Sequence, residues 1–283
     1  MSDHNNFAVQ ALADATLASA AQIEAQDGAA TDGPLKRDLV AGLEKGLAVI
    51  EAFDQERPRL TISEVAHLTG LTRAAARRYL LTLAHLGFVT QDRKMFSLTP
   101  RVLRLGQSYL HSARLPRIVE QELQKLAFGL KESSAAGILD GNDVICIAAA
   151  TTSRVMSLPM QPGTRVPAFC SGNGRVLLAG MAPAAFEAWL SQQSLTSRTQ
   201  HTITDPGQLR LEISRARSLG YACIDQEIES GLRTVAVPLK NYRGDVVAAL
   251  NVCVHASRMS MSELVTQCLP ALQQAQSHLR MLL

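Results

Sequence analysis

The chain has 283 residues, 47% of them hydrophobic and 19% charged, which is enough for two globular domains with cores of their own. No run of about 20 uninterrupted apolar residues is present and no Lys or Arg precedes Lys36, so we expect neither a membrane span nor a secretory signal, and a cytoplasmic protein. The formal net charge of +3 is unevenly distributed, since residues 36–114 carry thirteen basic side chains against seven acidic ones.

The first 35 residues are rich in alanine and contain five acids but no Lys or Arg. They end in a cluster of Gly, Asp and Pro. This composition is typical of a disordered acidic tail, so we expect residues 1–35 to lie outside the folded domains.

Residues 36–99 have the pattern of a winged helix-turn-helix. Thr61 and Glu64 have the spacing of a capping box at the start of a short helix, which Gly70 ends. Thr72 can cap the next helix, which continues to Gly87. The apolar positions that indicate helices are Leu39, Leu43, Leu47, Ile50 and Phe53 in the first, Ile62, Val65 and Ala66 in the second, and Ala76, Tyr79, Leu80 and Leu83 in the third. Three helices with a short turn containing Gly form the core of a helix-turn-helix, and residues 88–100 predict a two-stranded wing.

The third helix of this pattern is basic on its exposed side. Arg73, Arg77 and Arg78 stand among alanines, and no acid occurs between Glu64 and Asp92. Small side chains allow a helix to enter the major groove, while guanidinium groups reach phosphates or guanine. The residues expected to meet DNA are Thr72, Arg73, Ala75, Arg77 and Arg78 on the helix, with Arg93 and Lys94 on the wing. A solvated basic face, or a winged helix used only for protein contacts, would produce the same pattern.

Residues 100–114 predict a linker helix that Thr99 caps and Pro100 opens. Its apolar stripe consists of Val102, Leu105, Tyr109 and Leu110. The stripe has no obvious partner inside a compact winged helix. It therefore either packs on a second subunit or belongs to a plain connecting helix.

Residues 115–283 predict an α+β domain, because short strands alternate with helices there, and such a domain can hold a small molecule. Ser171, Gly172, Asn173 and Gly174 precede a helix, whose free N–H groups can hold a carboxylate. A simple N-cap with glycines for close packing fits the same residues. The five cysteines form no CxxC pair, which argues against a disulfide framework or a structural zinc, and we expect no metal and no cofactor.

Two groups of residues suggest catalysis less strongly. A reactive Cys170 would need a histidine as its base, and acids that alternate on a strand can form a carboxylate pair. A buried cysteine and a polar strand edge explain the same observations. The candidates are Cys170 with His201 or His255, and Asp225 with Glu227 and Glu229.

Four segments together resemble the IclR family of bacterial transcription regulators. They are LEKGLAVIEAF at 43–53, LTISEVAHLTGLTRAAARRYLLTLAHLGFV at 60–89, GNGRVLLA at 172–179 and GYACIDQEIESGLRTVAVPL at 220–239. The resemblance extends over about residues 39–283 and implies a winged helix, a linker helix and a GAF-like effector domain at 115–283. It also implies dimers formed through the DNA-binding part, and often tetramers. Within the family, LTRAAARRYLLTL and IDQEIESGLR look most like the branch that controls catabolism of aromatic acids such as 4-hydroxybenzoate and protocatechuate.

The resemblance also implies an effector pocket. Its residues here would be Ser171, Gly172, Asn173, Ile224, Asp225, Thr234, Asn251 and Cys253. Family members commonly have an acid where Ile224 stands and small hydroxyl residues where Asn251 and Cys253 stand, so the polarity of the ligand cannot be transferred. Met156 and Met160 are candidates for an apolar wall.

These observations predict a ligand-responsive transcription regulator. A homodimer or tetramer would place two recognition helices on an inverted repeat of double-stranded DNA, and a small carboxylate, most simply an aromatic acid, would bind the larger domain. One alternative is an enzyme that acts on a small aromatic acid and carries the winged helix as an appendage. Another is a helical scaffold whose basic side meets an acidic protein.

Overall fold

The computed structural model describes residues 38–54, 56–152 and 161–283. The expected tail at 1–35 and the candidate wall residues Met156 and Met160 lie outside these ranges, and the side chain of Leu110 is likewise not described. The chain divides into two compact units, one up to Gln107 and one from Ser108, and this division falls inside the predicted linker helix.

The first unit contains the three helices and the wing. Helix α1 spans Ala41–Glu51, α2 Ile62–Leu68 and α3 Arg73–His85, and the strands β1 (Val89–Asp92) and β2 (Met95–Leu98) form an antiparallel hairpin. The predicted capping box is present, because Thr61 Oγ1 accepts from the backbone N–H of Glu64 while the Glu64 carboxylate accepts from the N–H of Thr61. Local hydrogen bonds therefore fix where α2 begins, as expected for a helix of only seven residues.

Helix α1 is present, but none of the three leucines that indicate it is buried. Leu39, Leu43 and Leu47 are 50%, 65% and 46% exposed, whereas Val49 is fully buried. Gly42 and Gly46 lie on the side of α1 that faces Tyr79. A Cβ built on either glycine would lie 3.9 Å from the Tyr79 side chain. Small residues at this spacing let the ring pack against the α1 backbone, leaving an apolar stripe on the outer side.

The connecting region begins with a short 3-10 turn, Pro100–Val102, capped by Thr99 as predicted. It is followed by α4 (Leu103–Ser112) and α5 (Arg114–Leu130). On α4, Leu105 and Tyr109 remain 50% and 45% exposed. The described part of the predicted stripe is therefore available on the surface of this chain.

The second unit is built on one antiparallel sheet of six strands in the order β5-β4-β3-β8-β7-β6. The strands are β3 (Ser133–Asp140), β4 (Asp143–Ala150), β5 (Arg165–Pro167), β6 (Ala222–Asp225), β7 (Leu232–Lys240) and β8 (Val246–His255). The helices are α5, α6 (Gly172–Gly180), α7 (Pro183–Ser191), α8 (Pro206–Leu219) and α9 (Met261–Arg280). The α+β architecture expected from the sequence is confirmed.

Each face of this sheet has its own hydrophobic core. Alternate residues of the central strands, such as Val235 and Val252, pack with α5 and α9. Residues of the opposite parity, such as Ala236 and Ala249, pack with α6, α7 and α8. The second face carries small side chains, so α6 approaches the sheet closely and its first turn meets the strands.

Within the described ranges, no helix is long and apolar enough to cross a membrane. The same part of the chain contains no cluster of three or more His, Cys, Asp or Glu side chains suited to a metal ion.

Candidate nucleic-acid surface and ligand cavity

Helix α3 presents its arginines to solvent. Thr72 Oγ1 accepts from the backbone N–H of Ala75 at 3.2 Å and so fixes the start of the helix. Ala76, Leu80 and Leu83 are buried, and Arg73, Arg77 and Arg78 lie on the exposed side. In the described part of the chain, none of these three guanidinium groups has a salt-bridge partner. Among the described residues their charge is therefore not neutralised and can act on an anionic surface.

The wing places Arg93 and Lys94 at its tip. The two residues connect β1 to β2 directly, since Asp92 and Met95 are the last paired positions of the hairpin. Arg93 has a φ of +56°, a left-handed conformation that a non-glycine residue adopts mainly in tight turns. Arg59 contacts the Asp92 carboxylate at 2.6 Å and partly neutralises the acid at the base of the tip. Arg59 was not indicated by the sequence, because its partner lies 33 positions away.

A cavity lies between the start of α6 and the face of the sheet below it. The space open to the centre of a water molecule is about 60 Å³. Six of the eight predicted effector residues line it: Ser171, Gly172, Asn173, Thr234, Asn251 and Cys253. Seven further described residues complete the lining: Ala135, Val144, Cys146, Thr164, Val166, Ile228 and Leu232. None of these thirteen described residues carries a charge at neutral pH, because burial raises the pKa of the Cys146 and Cys253 thiols to about 11.

The floor of the cavity is a connected set of side chains on adjacent strands. Asn251 Oδ1 accepts from the backbone N–H of Ala135 at 3.2 Å, and Asn251 Nδ2 donates to Cys253 Sγ at 3.4 Å. Thr234 Oγ1 lies 3.5 Å from the same sulfur. Thr234 and Cys253 are directly opposite each other in the register of β7 and β8. The floor is therefore largely satisfied within the protein before any ligand binds.

The wall of the cavity is the first turn of α6. Ser171 Oγ accepts from the backbone N–H of Gly174 at 3.2 Å, so the predicted cap is present. A Cβ at Gly172 would lie 2.7 Å from Thr234 Cγ2, and one at Gly174 would overlap the backbone of Ala168. These glycines allow the helix start to approach the sheet, and the first N–H groups of a helix have no acceptor within it. The cavity can thus offer backbone donors and a helix dipole to an anion.

The structure does not bring Ile224 and Asp225 to this cavity. Ile224 lies opposite Thr234 on the same face of the sheet, but it is fully buried and does not line the space. Asp225 points to a different part of the unit and receives a hydrogen bond from Arg233 Nε at 2.7 Å, which holds the pKa of this carboxyl below its usual range. The family resemblance implied that both residues belong to the pocket, but side-chain packing separates them from the other six.

Two of the residues considered for catalysis, Cys170 and Glu227, are buried and have structural contacts. Burial raises the pKa of the Cys170 thiol to about 12, so a reactive thiolate does not form there at neutral pH. Glu227 forms a buried ion pair with Arg175 at 2.7 Å and accepts from the backbone N–H of Ile203. These contacts hold the segment after β6 against α6 and leave no free acid–base pair at Asp225 and Glu227.

Both units of the chain match known protein families. The family model described as the IclR helix-turn-helix domain matches residues 42–93, and the one described as the C-terminal region of the bacterial transcriptional regulator IclR matches residues 107–280. The chain is 41% identical over 236 residues to the Pca regulon regulatory protein of Pseudomonas putida, covering 83% of this chain and 81% of that protein.

Two further relatives are connected with hydroxybenzoates by name. The p-hydroxybenzoate hydroxylase transcriptional activator of Acinetobacter baylyi is 36% identical over 248 residues, covering 86% of this chain and 92% of the relative. A double mutant of the PobR inducer-binding domain from Acinetobacter, solved with 3-hydroxybenzoic acid, is 28% identical with a TM-score of 0.58. That comparison covers 60% of this chain and 100% of the solved domain.

Proposed function

Because the chain belongs to the IclR family of bacterial transcriptional regulators, and is thus a DNA-binding regulator and not an enzyme, we propose that it controls an operon for the catabolism of an aromatic acid. The effector is an aromatic carboxylate that binds the cavity beneath α6. The observation that carries this proposal is the convergence of six predicted residues on one cavity at a helix N-terminus.

The cavity suits an aromatic acid in two respects. Its apolar residues Val144, Val166, Ile228 and Leu232 can contact a ring, and the first turn of α6 supplies donors for a carboxylate. No cationic side chain is present among the described lining residues. Among the described residues, the donors open to the anion are backbone N–H groups and hydroxyl or amide groups such as that of Ser171.

The DNA contacts are assigned to the exposed side of α3 and to the wing. Arg73, Arg77 and Arg78 contact the major groove with Thr72 and Ala75 at the start of the helix, and Arg93 and Lys94 contact the neighbouring backbone or minor groove. A homodimer, or a tetramer made from two, places two such helices on an inverted repeat. The exposed apolar residues Leu43 on α1 and Leu105 on α4 support an interface with a second copy.

The proposal is tested first without assuming an operator sequence. Duplexes selected by the purified protein from a random library should converge on an inverted repeat, and 4-hydroxybenzoate should change the affinity for the selected duplex. By linkage, the duplex should change the affinity for the acid by the same factor. An acid panel that leaves both the melting temperature and DNA affinity unchanged would reject the aromatic effector while leaving the family assignment intact.

Arg77→Ala tests the surface on α3. We expect DNA affinity to fall by about 5- to 150-fold if Arg77 reads a base, with relaxed sequence preference at one position, or the salt slope to decrease by about one if it contacts a phosphate. Arg243→Ala is the matched control, because Arg243 is an exposed arginine of the second unit and its loss changes the net charge equally. Equal effects of the two substitutions would remove Arg77 from the DNA-binding surface.

A further inference from the structure

Asn173 differs from every other polar side chain around the cavity. Asn173 is 7% exposed to solvent. Among the described residues, its Oδ1 is the single buried side-chain oxygen or nitrogen atom that has no hydrogen-bond partner. Asn251, by contrast, uses both ends of its carboxamide within the protein. A buried amide oxygen without any donor is costly, so the molecule that occupies the cavity, water or ligand, has to donate a hydrogen bond to it.

The chemistry of this oxygen decides which ligand group can serve. A carboxylate only accepts hydrogen bonds, so it would leave Asn173 Oδ1 unpaired, and an aromatic C–H edge would do the same. A hydroxyl group donates to Oδ1. It also accepts from Nδ2 if the carboxamide turns by half a revolution. A carboxylate can pair only with the turned carboxamide, so of the two groups only a hydroxyl satisfies Asn173 in either orientation.

We propose that Asn173 is the specificity-determining residue of the cavity and that it selects effectors carrying a hydroxyl group in addition to the carboxylate. This inference rests on the proposed function, because it assumes that an aromatic acid occupies the cavity. The carboxylate is held by the start of α6 and Ser171, the ring lies against the apolar wall, and the hydroxyl meets Asn173. An acid without the hydroxyl displaces water from the cavity and leaves the amide oxygen unpaired, so it binds more weakly.

The test compares benzoate, 3-hydroxybenzoate and 4-hydroxybenzoate by calorimetric titration of the full chain. Wild-type protein should bind the better hydroxybenzoate about 10- to 100-fold more tightly than benzoate, the ratio expected for an unpaired buried acceptor. Asn173→Leu, which is similar in size but apolar, should bring this ratio close to one and leave benzoate affinity unchanged or higher. Asn173→Ala, which adds no volume, serves in its place if the leucine variant does not fold.

Gln276→Leu is the matched control, because it also replaces a partly buried carboxamide by leucine, but at a residue of α9 that donates to the Pro238 carbonyl and does not line the cavity. This variant should keep the wild-type ratio. The proposal is overturned if wild-type protein binds benzoate as tightly as both hydroxybenzoates, or if the Asn173 variants retain the preference. Failure of all three acids to bind would overturn the aromatic effector as well, whereas benzoate binding without preference overturns only the role of Asn173.

Discussion

Breaking the buried ion pair between Arg175 and Glu227 should destabilise the second unit more than any exposed ion pair does. The side chains are only 2% and 8% exposed, and their Nη2 and Oε2 atoms lie 2.7 Å apart. The nearest other acid, Glu212, has its Oε2 at 3.9 Å from Arg175 Nη1. In Glu227→Gln, Arg175 therefore keeps its charge inside the protein, and among the described residues its one remaining acidic partner is the more distant Glu212.

The expected loss follows from the cost of an unpaired buried charge. Removing one partner of a buried pair typically costs about 3–5 kcal/mol of the free energy of unfolding. With a urea m-value of about 2 kcal/mol/M, the midpoint of unfolding falls by about 1.5–2.5 M. Glu187→Gln breaks the pair between Arg210 and Glu187, whose side chains are both 49% exposed, and should cost at most about 1 kcal/mol.

Trp189 provides the assay, because it is the one tryptophan of the chain and lies on α7 in the second unit. Its emission during urea titration therefore follows the unfolding of this unit. Burial raises the pKa of Glu227 and the Arg175 guanidinium lowers it, and replacing a buried ion pair by apolar side chains of similar volume is typically neutral or stabilising. The double variant Arg175→Met with Glu227→Met should consequently recover most of the loss. Equal midpoints for Glu227→Gln and Glu187→Gln would refute the reasoning.

Two further predictions concern the cavity and the end of β6. Gly172→Ala should lower effector affinity at least tenfold while Gly129→Ala does not, because the methyl added at Gly172 lies 2.7 Å from Thr234 Cγ2 whereas one added at Gly129 on α5 meets nothing within 4 Å. Equal titration curves for both variants would contradict this prediction. Asp225→Asn should cost under about 1 kcal/mol, since Asp225 is 44% exposed. Arg233 lowers the folded-state pKa of Asp225, so this contribution is present above about pH 3.8 and is lost as the pH falls through the lower folded value. Urea midpoints of wild type and Asp225→Asn should thus differ at pH 7 and converge well below pH 3.8; a difference that persists in acid would contradict the assignment.

Features set by local hydrogen bonds could be predicted from the sequence. The caps at Thr61, Thr72 and Ser171 each use a side chain and a backbone N–H only three positions apart, so residue order alone indicates them. The same holds for the wing, because its two strands lie close together in the sequence, within residues 88–100. The basic, acid-free side of α3 could also be predicted, because helical periodicity separates it from the buried residues Ala76 and Leu80.

Features set by packing between distant segments could not be predicted in this way. The outward position of Leu43 depends on Tyr79 packing against glycines of α1, which a count of apolar residues does not detect. The register of β3 and β4 shifts between Ala136 and Gly137, so Ala148 packs in the core beside α5 and α9 while Val144 packs in the other core, and no residue pattern indicates that bulge. Ile224 shares a sheet face with Thr234, yet only the packing of the whole unit determines which of them borders open space.

The start of α6, which forms the wall of the proposed effector site, is anchored by contacts within the protein. Arg175, which directly follows Gly174, donates to the Phe169 carbonyl at 2.7 Å and pairs with Glu227, so the turn that borders the cavity is already held in place. A pre-organised wall loses little conformational entropy when it is occupied, which favours tight binding of a small rigid ring. A conformational change that begins at this proposed site would therefore displace α6 as a whole and would not loosen its first turn.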